Sequence, residues 1–209
     1  HVNFVPAPFG VGALFYKNVL IALFGATEGE KMPITDFLAR NAKIYPYDVA
    51  LVEVNPDKQP AKNITWHEYS LIETSQGSEK YRRELTWKQF DIEANKFANL
   101  LFTRGIKRGD KVAILLMNCL EWLPIYFGIL KAGAIVVPMN YRYSSDEIKY
   151  CLDLADVRML VFGPEFIDRI NAISKDIPAV DNLFFVGKRD DTPEYADNYA
   201  EMTYYCSST

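Results

Sequence analysis

Apolar positions along the chain change their spacing in a regular order. Thr35 to Tyr45 carries Phe37, Leu38 and Ile44 at helical intervals, and Pro46 is placed to stop the helix. Val49-Ala-Leu-Val-Glu-Val54 reads as a strand closed by Asn55-Pro56. Residues 55–84 are polar with scattered aromatics and no clear period, which predicts a loop or hairpin insertion. Thr86-Trp-Lys-Gln89 has the pattern of a capping box, in which the hydroxyl and the carboxamide satisfy opposite backbone N–H groups. Behind it, Phe90, Ala94, Phe97, Ala98 and Leu101 share one helical face, and Gly105 stands where a left-handed cap belongs.

The alternation then continues. Lys111-Val-Ala-Ile-Leu-Leu116 is apolar enough for a strand buried on both faces. Cys119 to Lys131 predicts an apolar helix capped by Gly133, with Pro124 near enough to its start to be tolerated. Ala134 to Pro138 is the next strand, and Ser144-Ser-Asp-Glu147 opens a helix with Ile148, Cys151, Leu152 and Ala155 on one face. Asp156 to Phe162 gives a strand, Pro164 begins a helix through Ser174, and Asn182 to Val186 is the last strand. Strands separated by helices of this length pair in parallel through right-handed crossovers. The predicted fold is doubly wound α/β, a mainly parallel sheet with helices on both faces.

Domain limits follow from where this rhythm begins and fades. Residues 1–31 differ in composition from the rest and read as an atypical segment or extension, with Met32 a candidate start. The run from Val11 to Phe24 is interrupted by Lys17 and Asn18 and falls short of the roughly 20 apolar residues of a membrane span. It also lacks the basic start and small-residue cleavage site of a secretory leader. Gly10-Val-Gly12 is a broken dinucleotide loop without its third glycine or its strand. Residues 32–187 form the α/β subdomain. Residues 188–209 are charged and then polar, with a short helical pattern at Glu194–Met202, and are expected to be a linker toward a second subdomain.

Composition narrows the chemistry. The net charge of −4 argues against nucleic acid as a partner, since phosphate backbones demand clustered Lys and Arg. Cys119, Cys151 and Cys206 are too scattered for a disulfide framework or zinc site, so a reduced, cytoplasmic protein is expected. The Asn63-Ile-Thr65 triplet then has no glycosylation role. Only His1 and His67 are histidines, and His67 reads as a surface loop residue, so a Ser-His or Cys-His engine has little to rest on. Cys119 and Cys151 read as small buried hydrophobes.

One ordered set of segments carries a resemblance. Leu85-Thr-Trp-Lys-Gln-Phe90 is followed by Gly105-Ile-Lys-Arg-Gly-Asp110 and Lys111-Val-Ala-Ile-Leu115. Asn118-Cys-Leu-Glu-Trp122, Phe127-Gly-Ile-Leu-Lys-Ala-Gly133, Val137-Pro-Met-Asn140, Arg142 and Glu147 complete it. Together they resemble the N-terminal part of the AMP-forming acyl-CoA synthetases of the adenylate-forming superfamily. The similarity runs from Ile34 to Met202, nearly everything after the N-terminal segment.

The resemblance implies an acid–thiol ligase as the parent enzyme. A carboxylate attacks the α-phosphate of ATP to give an acyl-adenylate and pyrophosphate, and the thiol of coenzyme A then displaces AMP. Such substitution at phosphorus is helped by hydrogen-bond donors and magnesium that spread the charge. It therefore implies ATP, Mg and CoA as cofactors, with a carboxylic acid and the remaining subdomains of the enzyme as partners. No nucleic acid and no stable membrane anchor is expected, and homodimerisation is open. No catalytic or metal-binding residue is placed within the sequence, and the chain on its own is expected to be inactive. Two alternatives stand beside this reading: an adenylation domain that loads an amino or aryl acid onto a carrier protein, and a non-catalytic α/β binding module. Asn140 after Pro138, where an acidic residue is absent, favours the coenzyme A branch.

The candidate binding residues lie in the turn after the Ala134–Pro138 strand, at a carboxyl end where open α/β sheets place ligands. The resemblance puts Asn140, Arg142 and Arg169 on the coenzyme A side, since a guanidinium matches phosphate geometry. The residues alone favour a plainer arrangement, in which Arg142 pairs with Asp146 or Glu147 and Asn140 closes the turn. Tyr204-Tyr-Cys-Ser-Ser-Thr209 has the aromatic and small residues of a phosphate-loop start, but Ser208 stands where close backbone approach favours Gly. The other reading there is the end of a surface helix entering a polar linker.

Overall fold

Helix starts and stops are set by local chemistry in this chain, and the sheet is assembled between them. A computed structural model describes residues 33–55 and 82–209, and the elements below all lie in the unit Ile34–Thr209. His1, the 11–24 run, Gly10, Gly12, Met32, the Asn63 triplet and His67 lie outside the described residues. Helix α1 spans Ile34–Ile44, strand β1 Val49–Val54 and strand β2 Arg82–Thr86. Helix α2, Trp87–Thr103, opens with the expected capping box: the Gln89 N–H donates to Thr86 Oγ1 at 3.3 Å, and the Thr86 N–H donates to Gln89 Oε1 at 2.9 Å. It ends in a Schellman turn, with Gly105 at φ +75° and the Ile106 N–H donating to the Leu101 carbonyl at 3.0 Å.

Strand β3 is Lys111–Leu115, helix α3 Trp122–Lys131 and strand β4 Ile135–Pro138. Helix α4, Ser145–Leu154, has its own capping box between Ser144 and Glu147. Strand β5 is Val157–Phe162. Pro164–Phe166 forms a 3₁₀ turn ahead of helix α5, Ile167–Ile173. Strand β6, Asn182–Phe185, strand β7, Asp197–Asn198, and helix α6, Tyr199–Tyr204, complete the described residues. Helix α3 starts three residues later than its apolar pattern predicts. The Leu120 N–H donates to the Glu53 carboxylate at 2.6 Å, which holds residues 118–121 in a turn, and Pro124 falls in the first helical turn where its missing N–H has no consequence.

The sheet has the order β4-β3-β5-β6-β7, and every adjacent pair is parallel. Helix α3 crosses from β3 to β4 on one face, and α4 and α5 carry the chain back on the other, so the fold is doubly wound. Side-chain alternation divides the core accordingly. Val112, Ile114, Met159, Val161 and Phe184 pack with α2, α3 and α6, whereas Ala113, Leu115, Leu160, Phe162 and Phe185 pack with α4 and α5. A separate two-stranded antiparallel ribbon joins β1 to β2, with Glu53 directly opposite Arg83.

Helices α2 and α3 approach closely at Gly128, where a Cβ would lie 2.9 Å from both the Ala94 carbonyl oxygen and Phe97 Cβ. Residues 188–209 hold more structure than the linker expected there. Arg104, at the C-cap of α2, donates to Asp197 Oδ2 at 2.6 Å and to Asn182 Oδ1 at 3.3 Å, which draws β7 into the sheet. Asn198 then caps α6 through the Glu201 N–H at 3.2 Å.

Candidate functional site

The strand order reverses between β3 and β5, and a cleft of about 800 Å³ opens at their carboxyl ends. This is where the geometry of open α/β sheets leaves room for a ligand. Its walls are the segments that follow the strands, Leu116–Glu121, Gly163–Glu165 and Val186–Lys188, together with α6 and residues Glu93 and Lys96 of α2. The floor is apolar, and Tyr199 is buried in it with its ring 5.5 Å from that of Phe97. Burial, reinforced by the Glu93 and Glu121 carboxylates, pushes the Tyr199 phenol well above its ordinary value, so it is neutral at any physiological pH.

A cation held between two carboxylates borders the cleft. Arg83 Nη1 and Nη2 donate to the two oxygens of Glu121 at 2.9 and 3.1 Å. Its Nε and Nη2 donate to Glu53 at 3.2 and 2.6 Å. Partial burial works against the Arg83 cation, but its hydrogen bonds to Glu53 and Glu121 overcome this and raise the guanidinium above its ordinary value. The ribbon is thereby fastened to the turn that precedes α3. Cys119 lies in that turn half-buried, and burial, with the Glu121 charge, pushes its thiol up to about 12. Trp122 stacks on Tyr126 with centroids 5.4 Å apart and packs against the core.

The residues proposed from sequence gather elsewhere, at the carboxyl end of the outermost strand β4. Asn140 Oδ1 accepts the Arg142 N–H at 2.9 Å and closes the turn. Arg169 reaches across from α5, and its Nη1 donates to the carbonyls of Tyr141 at 2.7 Å and Tyr143 at 3.0 Å. Arg142 does not pair with Asp146 or Glu147. Its Nε donates to the Tyr141 hydroxyl at 2.9 Å, while Glu147 Oε2 accepts the Ser144 N–H at 2.8 Å. The structure thus brings Asn140, Arg142 and Arg169 to one turn, with Arg169 holding it and Arg142 exposed. Tyr204 ends helix α6 and Tyr205–Thr209 follows it, so no strand delivers this segment.

Sequence reasoning missed Arg83 and Glu53. Arg83 lies in a stretch without apolar period, and its partner strand is found only across residues 56–81, so no local signal marks the pair. Among the described residues no group of three or more His, Cys, Asp or Glu side chains comes together as a metal cage. No helix among them is long and apolar enough to cross a membrane.

Known proteins share this fold. Residues 44–203 match the family model described as AMP-binding enzyme. A medium/long-chain-fatty-acid–CoA/3-oxocholest-4-en-26-oate–CoA ligase of Mycobacterium marinum is 36% identical over 103 residues, 49% of this chain and 19% of that protein. A crotonobetaine/carnitine–CoA ligase of Salmonella paratyphi B is 36% identical over 94 residues, 45% of this chain and 18% of the relative. The matched region is therefore about a fifth of the length of these curated relatives. Among solved structures, an anthranilate CoA ligase in complex with anthranoyl-AMP superposes with a TM-score of 0.67 at 25% identity, covering 85% of this chain and 30% of that one. A fatty acyl CoA synthetase of Mycobacterium tuberculosis shares the fold, with a TM-score of 0.63 at 23% identity over 84% of this chain and 29% of that one. With its family match extending from β1's approach through α6, the chain belongs to the AMP-binding enzyme family.

Proposed function

We propose that this chain supplies the N-terminal part of an ATP-dependent acyl-CoA ligase. The parent protein joins a carboxylate to ATP, giving acyl-AMP and pyrophosphate, and then transfers the acyl group to the thiol of CoA with release of AMP. The observation that carries this reading is the match of residues 44–203 to the AMP-binding family together with relatives that are CoA ligases. The described residues do not themselves fit a nucleotide–magnesium site. They form no acidic or histidine cage. We assign adenylation chemistry to the rest of the parent protein and expect this chain alone to perform neither half-reaction. The free thiols of Cys119, Cys151 and Cys206 fit a reducing, cytoplasmic setting.

The turn Asn140–Tyr143 does fit the phosphates of CoA. Asn140 and Arg169 fix its backbone, and the exposed Arg142 uses only Nε on protein, which leaves Nη1 and Nη2 for an anion. The test is carboxylate-dependent ATP–pyrophosphate exchange, followed by acyl transfer, in the parent protein and its Arg142→Ala variant. Exchange in the parent, none in the 209-residue chain, and a CoA KM raised about tenfold by the variant with exchange intact support the reading. Exchange by the 209-residue chain alone, or equal loss in both half-reactions, contradicts it.

A further inference from the structure

The cleft at the carboxyl ends of β3, β5 and β6 holds a polar atom that the fold leaves unused. Tyr199 is 6% exposed, and among the described residues its hydroxyl has no hydrogen-bond partner. Its carbonyl accepts the Thr203 hydroxyl at 2.8 Å and its ring packs on Phe97, so the residue is fixed in place while the phenol oxygen makes no bond. The charged and titrating groups that act on this oxygen are Glu93, Glu121 and Cys119, and all three line the cleft. The phenol therefore stands in the cleft wall. Native structures pair buried hydroxyls with protein, water or ligand, because an unmet one is costly.

The surroundings select what can complete it. Four carboxylates and three cations line the cleft, which leaves it negative by one charge. Arg83 is matched by Glu53 and Glu121, and Lys96 Nζ by Glu93 at 2.8 Å. Helix α3 starts at the cleft, but its positive end is answered by the chain itself. Glu121 stands at its N-cap, and Glu53 accepts the Leu120 N–H at 2.6 Å. An anion at the phenol would meet the repulsion of Glu93 and Glu121. An ammonium group would meet their attraction, a phenol oxygen able to accept its N–H, and at the rim the ring of Tyr204, 73% exposed. The rest of the floor is apolar, with Leu116, Leu120 and Pro124, and about 800 Å³ is the size of a small-molecule site. We propose that this cleft binds an organic amine, whose ammonium donates to Tyr199 Oη beside Glu93 and Glu121 while an apolar body lies on Leu116, Leu120 and Pro124. The site is separate from the Asn140–Tyr143 turn and stands independently of the ligase reading.

The experiment is an NMR titration of the 209-residue chain, its tyrosine rings isotope-labelled, with three probes that share one apolar body: phenethylamine, phenethyl alcohol and hydrocinnamate. At constant ionic strength phenethylamine should shift the Tyr199 and Tyr204 signals to saturation, with an affinity about tenfold above that of the alcohol. Hydrocinnamate, the anion of the series, should bind more weakly than either. Tyr199→Phe should lower the amine's affinity about fivefold, and its thermal midpoint should not fall, since the atom removed has no partner. Glu93→Gln should lower the amine's affinity about tenfold and leave the alcohol's unchanged. Equal binding of the three probes, tighter binding of hydrocinnamate, or no saturable binding of the amine overturns the proposal. So do amine shifts that miss Tyr199, a Tyr199→Phe chain that melts lower with its amine affinity intact, and a Glu93→Gln loss that the alcohol shares.

Discussion

Arg83→Ala should destabilise the fold by about 2 kcal/mol, and the structure says where that energy resides. The guanidinium makes four hydrogen bonds to two carboxylates, bidentate on Glu121 and bidentate on Glu53. Fully exposed ion pairs contribute about 0.2–1 kcal/mol, whereas hydrogen bonds to charged groups that are out of water contribute about 1.5–3. Here the side chains are 40% exposed for Arg83 and 28% for each glutamate, so solvent screening holds each pair to about 1 kcal/mol. Two pairs give about 2 kcal/mol. Removal also leaves Glu53 and Glu121 as neighbouring unpaired anions beside the Leu120 N–H, so the loss is not smaller than the sum. For a domain of this size that is a fall in Tm of about 4–8 °C. Urea and thermal unfolding of the single variants Arg83→Ala and Glu121→Gln and of the double variant should give a coupling energy of about 1 kcal/mol, and 1 M salt should reduce it only in part. A melting point within a degree of the unsubstituted chain, or additive single losses, would refute the clamp.

Two further outcomes follow from packing and titration. Gly128→Ala forces a methyl to within 2.9 Å of Ala94 O and Phe97 Cβ, and should cost about 1–3 kcal/mol in urea unfolding by separating α2 from α3. A loss below about 0.5 kcal/mol would show that the helices yield. Cys119 should resist iodoacetamide at pH 8 in the native state and react once the chain is unfolded, because burial holds its thiol at about 12. Its folded value is raised, so the unfolded chain releases this proton first. Stability should therefore decline as pH rises from about 9 toward 12, and a Cys119→Ser variant should show a shallower decline.

Much of the fold is written locally. Thr86–Gln89 and Ser144–Glu147 announce two helices because each box closes within four residues, and Gly105 and Gly133 end α2 and α3 by their left-handed backbones, at φ +75° and +74°. Strand β3 is legible because it is buried on both faces. Strand β7 is not, since two residues carry no period and Arg104, more than ninety positions earlier, draws them into the sheet. Helix α3 begins late for a similar reason, a carboxylate from β1 holding the turn before it. The turn with Asn140, Arg142 and Arg169 could be nominated from its place after a strand. The Arg83 clamp could not, because it depends on cross-strand register.

Synthesis of acyl-CoA through an acyl-adenylate is the proposed activity of the parent protein. Product analysis of the parent with ATP, CoA and a panel of fatty and aryl acids tests this directly. AMP, pyrophosphate and acyl-CoA should form in equal amounts, each dependent on the acid, with no thioester formed when CoA is withheld. ADP and phosphate as products, or acyl transfer to a carrier protein with CoA inert, would contradict it.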